Sequence, residues 1–309
     1  MRDSFVVPPQ FGPDPRSARR LALIEAGLEQ SIVVDGVRFN YQDHGKGPAV
    51  VLIHGVAGSA SDWAAIVGPL VEAGFRALCV ETRGAGYSDR PLPSDYSVWA
   101  LARELAHLLR RLRVASATVV GNSLGGAIAI ALARKAPKLV SRLVLLDAVA
   151  YGETMPLIVS GLRIPAVPGF VARMMPPRAL IGFVLSCLGG DASWVRREVV
   201  TEYAHELALP NRMLTMFEML RCVVRADPAP FEAEVARVQQ PTLVVWGERD
   251  PVFPVSIGER LHGDIEGSRL VVIPGCGHMP NLEAPSAVLE ALLRFLRRET
   301  GSRRSAATS

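Results

Sequence analysis

Two hydrophobic patterns alternate along this chain, and together they predict buried strands connected by surface helices. Short continuous apolar runs bounded by glycine or polar residues are typical of strands that are covered on both faces. Apolar residues that recur every three or four positions, as in residues 98–111, are typical of amphipathic helices. The strand pattern occurs in residues 31–34, 37–41, 49–53, 75–80, 117–120, 143–146, 242–246 and 270–273. The sequence thus predicts an α/β fold with a mostly parallel eight-stranded sheet and helices on both faces.

The alternation breaks once, between residues 150 and 237, where no convincing strand pattern occurs. This segment is rich in proline and contains helical stretches, so we predict a helical cap inserted into one α/β domain formed by residues 31–149 and 238–298. Residues 1–30 are predicted to form an N-terminal extension. Residues 299–309 are rich in serine, arginine and alanine and are predicted to be disordered.

Composition narrows the class of protein. Hydrophobic residues make up 49% of the 309 residues, which is enough for a substantial core, and the net charge of +4 is scattered, which disfavours nucleic acid as a partner. No apolar run reaches the roughly 18 residues of a membrane span, and the N-terminus lacks the apolar stretch of a signal peptide. The four cysteines form no C-x-x-C pair. We therefore expect reduced thiols, a cytoplasmic location and no metal site.

A serine stands where one predicted strand meets a helix. Residues 121–126 read Gly-Asn-Ser-Leu-Gly-Gly and directly follow the strand at 117–120. A serine at such a sharp turn needs neighbours without side chains, which Gly121 and Gly125 provide. The turn exposes the hydroxyl of Ser123 and directs the first N–H groups of the following helix toward the group that it attacks.

A serine hydroxyl is a poor nucleophile unless a base removes its proton and an acid orients that base. The strand at 242–246 runs into Gly-Glu-Arg-Asp, which ends at Asp250, and the strand at 270–273 runs into a loop that ends at His278. Asp147, which also follows a predicted strand, is an alternative acid. The order serine, aspartate, histidine favours hydrolytic chemistry at Ser123.

With these pieces in place, the chain resembles the α/β-hydrolase-fold family, in its lid-bearing branch of esterases, epoxide hydrolases and C–C hydrolases. The resemblance covers about residues 31–298, except most of the insertion. The matching motifs are His54-Gly55, Arg83-Gly84-x-Gly86-x-Ser88-Asp89, the motif around Ser123, Gly247-Glu248-Arg249-Asp250 and Gly277-His278-Met279-Pro280-Asn281-Leu282-Glu283. These motifs are specific for the fold and much less specific for the substrate.

The resemblance implies a role for each site residue and requires no cofactor. Ser123 is the nucleophile, His278 the general base and Asp250 the acid that orients it. The backbone N–H groups of Val56 and Leu124 are the implied oxyanion hole.

Two other predictions concern the surroundings of these residues. We expect His54 to be a structural hydrogen-bonding residue that shapes the oxyanion loop rather than a proton carrier. We expect Arg83 and Asp89 to pair with each other and hold their loop.

Two departures from the family pattern narrow the range of reactions that we expect at Ser123. Epoxide hydrolases of this family carry aspartate where this chain has Ser123, and C–C hydrolases often follow the histidine with tryptophan where this chain has Met279. We therefore predict a serine hydrolase that cleaves a carboxylic ester, or a thioester, through an acyl-enzyme. A C–C bond hydrolase, a cofactor-free perhydrolase and a non-enzymatic ligand receptor on the same fold are alternatives.

The insertion predicts the kind of substrate. Residues 154–190 are apolar and contain no acidic side chain, which favours a hydrophobic small-molecule substrate under a greasy lid. The same apolar, basic lid suggests peripheral contact with an anionic membrane. Candidate lid residues are Met155, Phe170, Met174 and Phe183.

Overall fold

The computed structural model describes residues 18–152, 177–225 and 227–305, and a single twisted sheet organises them. Its strands follow the order β1-β2-β4-β3-β5-β6-β7-β8. Their bounds are β1 Glu29–Val34, β2 Val37–His44, β3 Ala49–Ile53, β4 Arg76–Val80, β5 Ala117–Asn122, β6 Val140–Leu146, β7 Thr242–Gly247 and β8 Arg269–Ile273. The predicted eight-stranded sheet is confirmed.

Helices cover the sheet and fill the connection between β6 and β7. The helices are α1 Ala18–Glu25, α2 Ala64–Glu72, α3 Val98–Arg111, α4 Leu124–Lys135, α5 Pro177–Leu188, α6 Arg197–Leu207, α7 Arg212–Arg225, α8 Ala229–Val235, α9 Val255–Asp264, α10 Pro280–Glu283 and α11 Pro285–Ser305. Between β6 and β7, the described residues contain helices and no strand. We refer to α5–α8 as the cap.

Strand direction places the functional loops at one edge of the sheet. The hairpin β1-β2 pairs antiparallel, and β2 joins β4 antiparallel, whereas all strands from β4 through β8 pair in parallel. In the parallel register Ile53 pairs with Gly121, and Gly247 pairs with Ile273. The loops after β3, β5, β7 and β8 therefore emerge side by side, as expected for a site at the carboxyl ends of parallel strands.

The core lies on both faces of the sheet because successive residues of a buried strand point to opposite sides. In β3, Val51 packs with α3 and α4 on one face, whereas Val50 and Leu52 pack with α2 and α11 on the other. Among the described residues, no helix combines the length and apolar character that crossing a bilayer requires.

Several element boundaries differ from the sequence-based expectation, among them one helix start and one helix end. The helix expected from residue 62 starts as a 3₁₀ turn at Ala60, capped by the hydroxyl of Ser59, which accepts a hydrogen bond from the Ser61 N–H. The closing helix continues through Ser305 instead of ending near residue 298. Its earlier turns are anchored by buried Leu292 and Leu296, and an anchored helix extends at little further cost.

Candidate active site

Ser123 stands in a strained turn between β5 and α4. Its φ is +53°, in the left-handed region that residues other than glycine rarely adopt. The turn is tight because a Cβ on Gly121 would overlap the carbonyl of Gly125, and a Cβ on Gly125 would overlap the carbonyls of Ile53 and His54. The Ser123 N–H donates to the Leu146 carbonyl at 2.9 Å. The turn is therefore held by the neighbouring strand as well as by its own glycines.

His278 connects Ser123 to the rest of the site. Its Nε2 lies 3.0 Å from the Ser123 Oγ, although the two residues are 155 positions apart in sequence. The ring lies edge-on to Phe253, with centroids 5.3 Å apart. The backbone N–H of His278 donates to the carbonyl of Leu188, the last residue of α5, at 2.8 Å. Core and cap together fix the position of this side chain.

Asp250 orients His278. Its Oδ2 accepts a hydrogen bond from His278 Nδ1 at 2.8 Å, and its Oδ1 accepts from the N–H groups of Val252 at 2.7 Å and Phe253 at 3.0 Å. A carboxylate that accepts three hydrogen bonds has little freedom to rotate. With the proton on Nδ1, the Nε2 atom is free to accept the hydroxyl proton of Ser123.

The alternative acid, Asp147, is buried next to this row but does not hydrogen-bond to His278. Its Oδ1 accepts a hydrogen bond from the Gly247 N–H at 2.9 Å. Burial, and then the charge of Asp250, raise the pKa of Asp147 well above its usual range. Asp250, which the sequence favours, is the carboxylate that contacts His278.

Among the described residues, only one group of three side chains has the spacing that could hold a metal ion. This group overlaps the hydrogen-bonded pair of His278 and Asp250. Donor atoms of Asp147, Asp250 and His278 lie within 4.8 Å of one another. However, His278 Nδ1 and Asp250 Oδ2 are hydrogen-bonded to each other. The set is therefore arranged to orient the imidazole.

The loop after β3 and the start of α4 carry the two N–H groups that are expected to form an oxyanion hole. Within the described parts of the chain, the N–H groups of Val56 and Leu124 donate to no backbone carbonyl outside a helix or strand, and Leu124 opens α4, where N–H groups have no helical partner. Both groups are thus available to a ligand near Ser123.

His54 is a structural residue, as its sequence context predicts. Its Nε2 accepts a hydrogen bond from the Thr82 N–H at 3.2 Å, which puts the ring proton on Nδ1, where it donates to the Gly55 carbonyl at 2.6 Å. Burial lowers the pKa of His54 to about 4. The ring therefore stays neutral near pH 7 and braces the oxyanion loop.

The expected pairing between Arg83 and Asp89 is wrong. Arg83 reaches Glu104 of α3 at 2.9 Å and also contacts Ser94, whereas Asp89 pairs with Arg38 of β2. Both side chains do hold their loop, Arg83 through α3 and Asp89 through β2, because they extend from the loop in different directions.

Asn122 is a site residue that the sequence analysis missed. Its side-chain amide donates to the carbonyl of His278 and to that of Leu146, each at 3.2 Å. Asn122 therefore ties the loop after β8 to the Ser123 turn. The signal was present, since a buried asparagine inside an apolar strand needs partners.

The cap packs onto the site through apolar contacts. Met279, directly after His278, belongs to one buried cluster with Ile181 and Leu185 of α5 and with Trp194. Phe183, a candidate lid residue, is 57% exposed. The residues of α5 that pack with Met279 are instead the buried Ile181 and Leu185. The other candidates, Met155, Phe170 and Met174, lie outside the described residues.

A buried polar network, also missed from sequence, joins the cap to the core. Tyr203 donates to Asp62 Oδ1 at 2.9 Å, and Ser59 donates to Glu206 Oε1. Arg212, fully buried, donates to the carbonyls of Gly58 and Gly84. Burial raises the pKa of Asp62 to about 7 and that of Glu206 well above its usual range.

The family model for the alpha/beta hydrolase fold matches residues 48–168 and 197–285, which is more than half of the chain. The chain belongs to the alpha/beta hydrolase fold family. This membership confirms the predicted fold and makes the protein a hydrolase by family. Within this fold, Ser123 lies at the turn between β5 and α4.

Three known proteins are similar to this chain over most of its length. A 2-hydroxy-6-oxononadienedioate/2-hydroxy-6-oxononatrienedioate hydrolase of Escherichia coli (strain K12) is 30% identical over 279 residues, which cover 85% of this chain and 92% of that protein. A hydrolase from Pseudomonas aeruginosa PA01 is 30% identical, with a TM-score of 0.74 over 88% of this chain and 99% of that one. The enol-lactonase from Burkholderia xenovorans LB400 is 25% identical, with a TM-score of 0.73 over 86% of this chain and 99% of that one.

Proposed function

We propose that this protein is a serine hydrolase that cleaves carboxylic esters with a hydrophobic acyl or alkyl group. The observation that carries the proposal is the continuous hydrogen-bonded row from Ser123 Oγ through His278 to Asp250, with distances of 3.0 and 2.8 Å. A hydroxyl, an imidazole and a carboxylate in this order form the arrangement that activates a serine for acyl transfer.

In the first half of the reaction, Ser123 Oγ attacks the ester carbonyl carbon while His278 Nε2 takes the hydroxyl proton. The carbonyl oxygen becomes an oxyanion, which accepts hydrogen bonds from the N–H groups of Val56 and Leu124. The carbon–oxygen bond to the alcohol then breaks, and the imidazolium gives its proton to the departing alcohol. The product of this half is an acyl ester on Ser123.

In the second half, water attacks the acyl-enzyme, and His278 takes a proton from that water. The bond to Ser123 Oγ breaks, the serine regains its proton from the imidazolium, and a carboxylic acid is released. Asp250 stays ionised throughout and stabilises the imidazolium in both halves. The same steps cleave a thioester, with a thiol in place of the alcohol.

The surroundings of the row favour a hydrophobic substrate. Met279 next to the base belongs to a buried apolar cluster with Ile181 and Leu185 of the cap. Ala57, in the loop that carries the oxyanion donors, packs against the same cluster. Apolar walls with a few fixed polar groups are typical of pockets that bind apolar ligands.

Labelling with a fluorophosphonate probe tests the nucleophile. The wild type should react at Ser123, and Ser123→Ala should not react. Ser193→Ala, which removes an exposed serine of the cap, is the matched control and should react like the wild type. An unlabelled wild type would contradict the proposal. A series of esters from acetate to palmitate then measures the preferred acyl length.

A second candidate is hydrolysis of a carbon–carbon bond, and the relative from Escherichia coli supports it. That protein is named for 2-hydroxy-6-oxo dienedioate substrates and is 30% identical over most of both chains. The same three residues would serve this reaction, with a ketone as the attacked carbonyl. Turnover of a 2-hydroxy-6-oxo-dienoate faster than of any ester in the series would favour this candidate over the first.

A further inference from the structure

Asp147 lies at the end of β6, directly beside the row of Ser123, His278 and Asp250. Its φ is +42°, a conformation that residues other than glycine rarely adopt, and its N–H donates to the Val245 carbonyl of β7 at 3.1 Å. The side chain is fully buried. The backbone strain and the burial together fix this carboxyl group in one position.

The two oxygens of Asp147 have different surroundings. Oδ1 accepts a hydrogen bond from the Gly247 N–H at 2.9 Å. Oδ2 is buried, and no N–H or O–H group among the described residues donates to it. An ionised carboxylate in this position would leave a charged oxygen without a donor, which is costly away from water. A protonated Oδ2 is instead a donor that requires an acceptor.

The carboxylate of Asp250, which is in side-chain contact with Asp147, is in a position to supply that acceptor. Donor atoms of Asp147, Asp250 and His278 all lie within 4.8 Å of one another. Asp250 already accepts three hydrogen bonds, from His278, Val252 and Phe253. A carboxylate has about four acceptor positions, so one position remains.

The numbers of donors decide which carboxyl group carries the charge. Three donors on Asp250 stabilise its ionised form, whereas the single N–H on Asp147 gives that residue much less stabilisation. Two adjacent buried carboxylates would also repel each other. One proton is therefore shared by the pair, and it resides on Asp147.

We propose that Asp147 is a protonated positioning residue that donates a hydrogen bond from Oδ2 to the carboxylate of Asp250 and so fixes Asp250 beneath His278. This inference rests on the proposed function only for its kinetic consequence. The hydrogen-bonded row then runs from Ser123 through His278 and Asp250 to Asp147, and Asp147 is uncharged. Other titratable groups that face Asp147 are His278 and Glu283 from the loop and helix after β8, and Cys276 from the same loop.

Infrared spectroscopy tests the protonation state without any substrate. The difference spectrum between wild type and Asp147→Asn at pH 7 should contain the carbonyl band of a protonated carboxylic acid, and this band should shift in D₂O. Glu266→Gln, which removes an exposed carboxylate, is the matched control and should contain only carboxylate bands. If Asp147→Asn also shows only carboxylate bands, the proposal is overturned, whether or not the protein proves to be a hydrolase.

The positioning role is tested by two substitutions at the same site. Asp147→Ala removes the donor and should lower kcat, and the rate constant of fluorophosphonate labelling, about tenfold or more with KM changed less than threefold. Asp147→Asn keeps a neutral donor of nearly the same shape and should recover most of that loss. Equal losses in both variants, or no loss in folded Asp147→Ala, would overturn the role. Circular dichroism confirms that both variants are folded.

Discussion

Arg212 of the cap donates a hydrogen bond from Nη2 to the carbonyl of Gly58, in the loop after β3, at 3.0 Å. The same guanidinium donates from Nη1 to the Gly84 carbonyl at 3.2 Å. The loop held at Gly58 also carries Val56, one of the proposed oxyanion donors. A cap helix therefore helps to set the geometry of the site from above.

Substitution of Arg212 should destabilise the protein strongly. Arg212→Met leaves the Gly58 carbonyl without its side-chain donor and the Gly84 carbonyl with Thr215 alone. It also removes the positive charge near Glu206 and Asp62, so we expect the free energy of unfolding to fall by roughly 3 kcal/mol. Denaturant unfolding measures this change. Arg237→Met, whose side chain is 64% exposed, is the control and should change stability by less than about 1 kcal/mol. Equal stability of the two variants would contradict the importance of the buried contacts.

Substitution of Asp250 should reduce turnover far more than binding. Asp250→Asn keeps the shape of the side chain but favours the wrong tautomer of His278, so we expect kcat to fall by about 10⁴ with a small change in KM. Glu248→Gln, an exposed change two residues earlier in the same loop, is the matched control. Steady-state kinetics on the best ester measures both variants. A larger loss in Asp147→Asn than in Asp250→Asn would move the orienting acid to Asp147.

Stability should fall as the pH rises from about 4 to 7, in part because of Asp62. Burial raises the pKa of Asp62 from 3.8 to about 7 in the folded protein. In this interval the unfolded chain releases the proton while the folded protein keeps it, so the contribution of Asp62 is complete below pH 4 and is lost progressively toward pH 7. The change is on the order of 4 kcal/mol.

Urea unfolding of the wild type and of Asp62→Asn across this interval measures whether stability falls as the pH rises and whether Asp62 causes the fall. The variant cannot ionise at this position, so its stability should decline less steeply with pH. Glu266→Gln, which alters an exposed side chain, is the control and should keep the slope of the wild type. Identical slopes for wild type and Asp62→Asn would show that another group produces the pH dependence.

Contact of the cap with an anionic membrane surface remains a prediction. Phe183 and Val184 of α5 are adjacent and are 57% and 44% exposed, which suits shallow insertion next to basic residues such as Arg178. Co-sedimentation with vesicles that contain phosphatidylserine should decrease in Phe183→Asp/Val184→Asp. Val33→Asp, on the edge strand β1 and 59% exposed, is the control. If the wild type stays in the supernatant at low salt, the prediction of membrane contact is wrong.

The strands and the chemical residues of the site were predictable because their signals are local. Each of Ser123, Asp250 and His278 follows an apolar run, and apolar runs end where buried strands end. The start of β6 was predicted three residues late, at 143 instead of Val140, because exposed Ser141 and half-buried Arg142 interrupt the apolar pattern there.

Contacts between distant polar residues were not predictable in the same way. Arg212 and Gly58 are 154 positions apart, and the sequence around neither residue indicates that the two are in contact. Arg83 and Asp89 are close in sequence, but Arg83 pairs with Glu104 across a loop. The motif at residues 247–250 favoured Asp250 over Asp147, but only the three-dimensional arrangement shows which of the two contacts His278.

The hydrogen bond from the His278 N–H to the Leu188 carbonyl constrains how this protein can be re-engineered. The cap does more than pack over the site, because its helix α5 ends at Leu188, which holds the backbone of His278. A cap transplanted from a relative to change the substrate must also present a carbonyl group at the position of Leu188. A lengthened or shortened α5 would shift His278 relative to Ser123, so substrate range and catalytic rate cannot be altered independently at this junction.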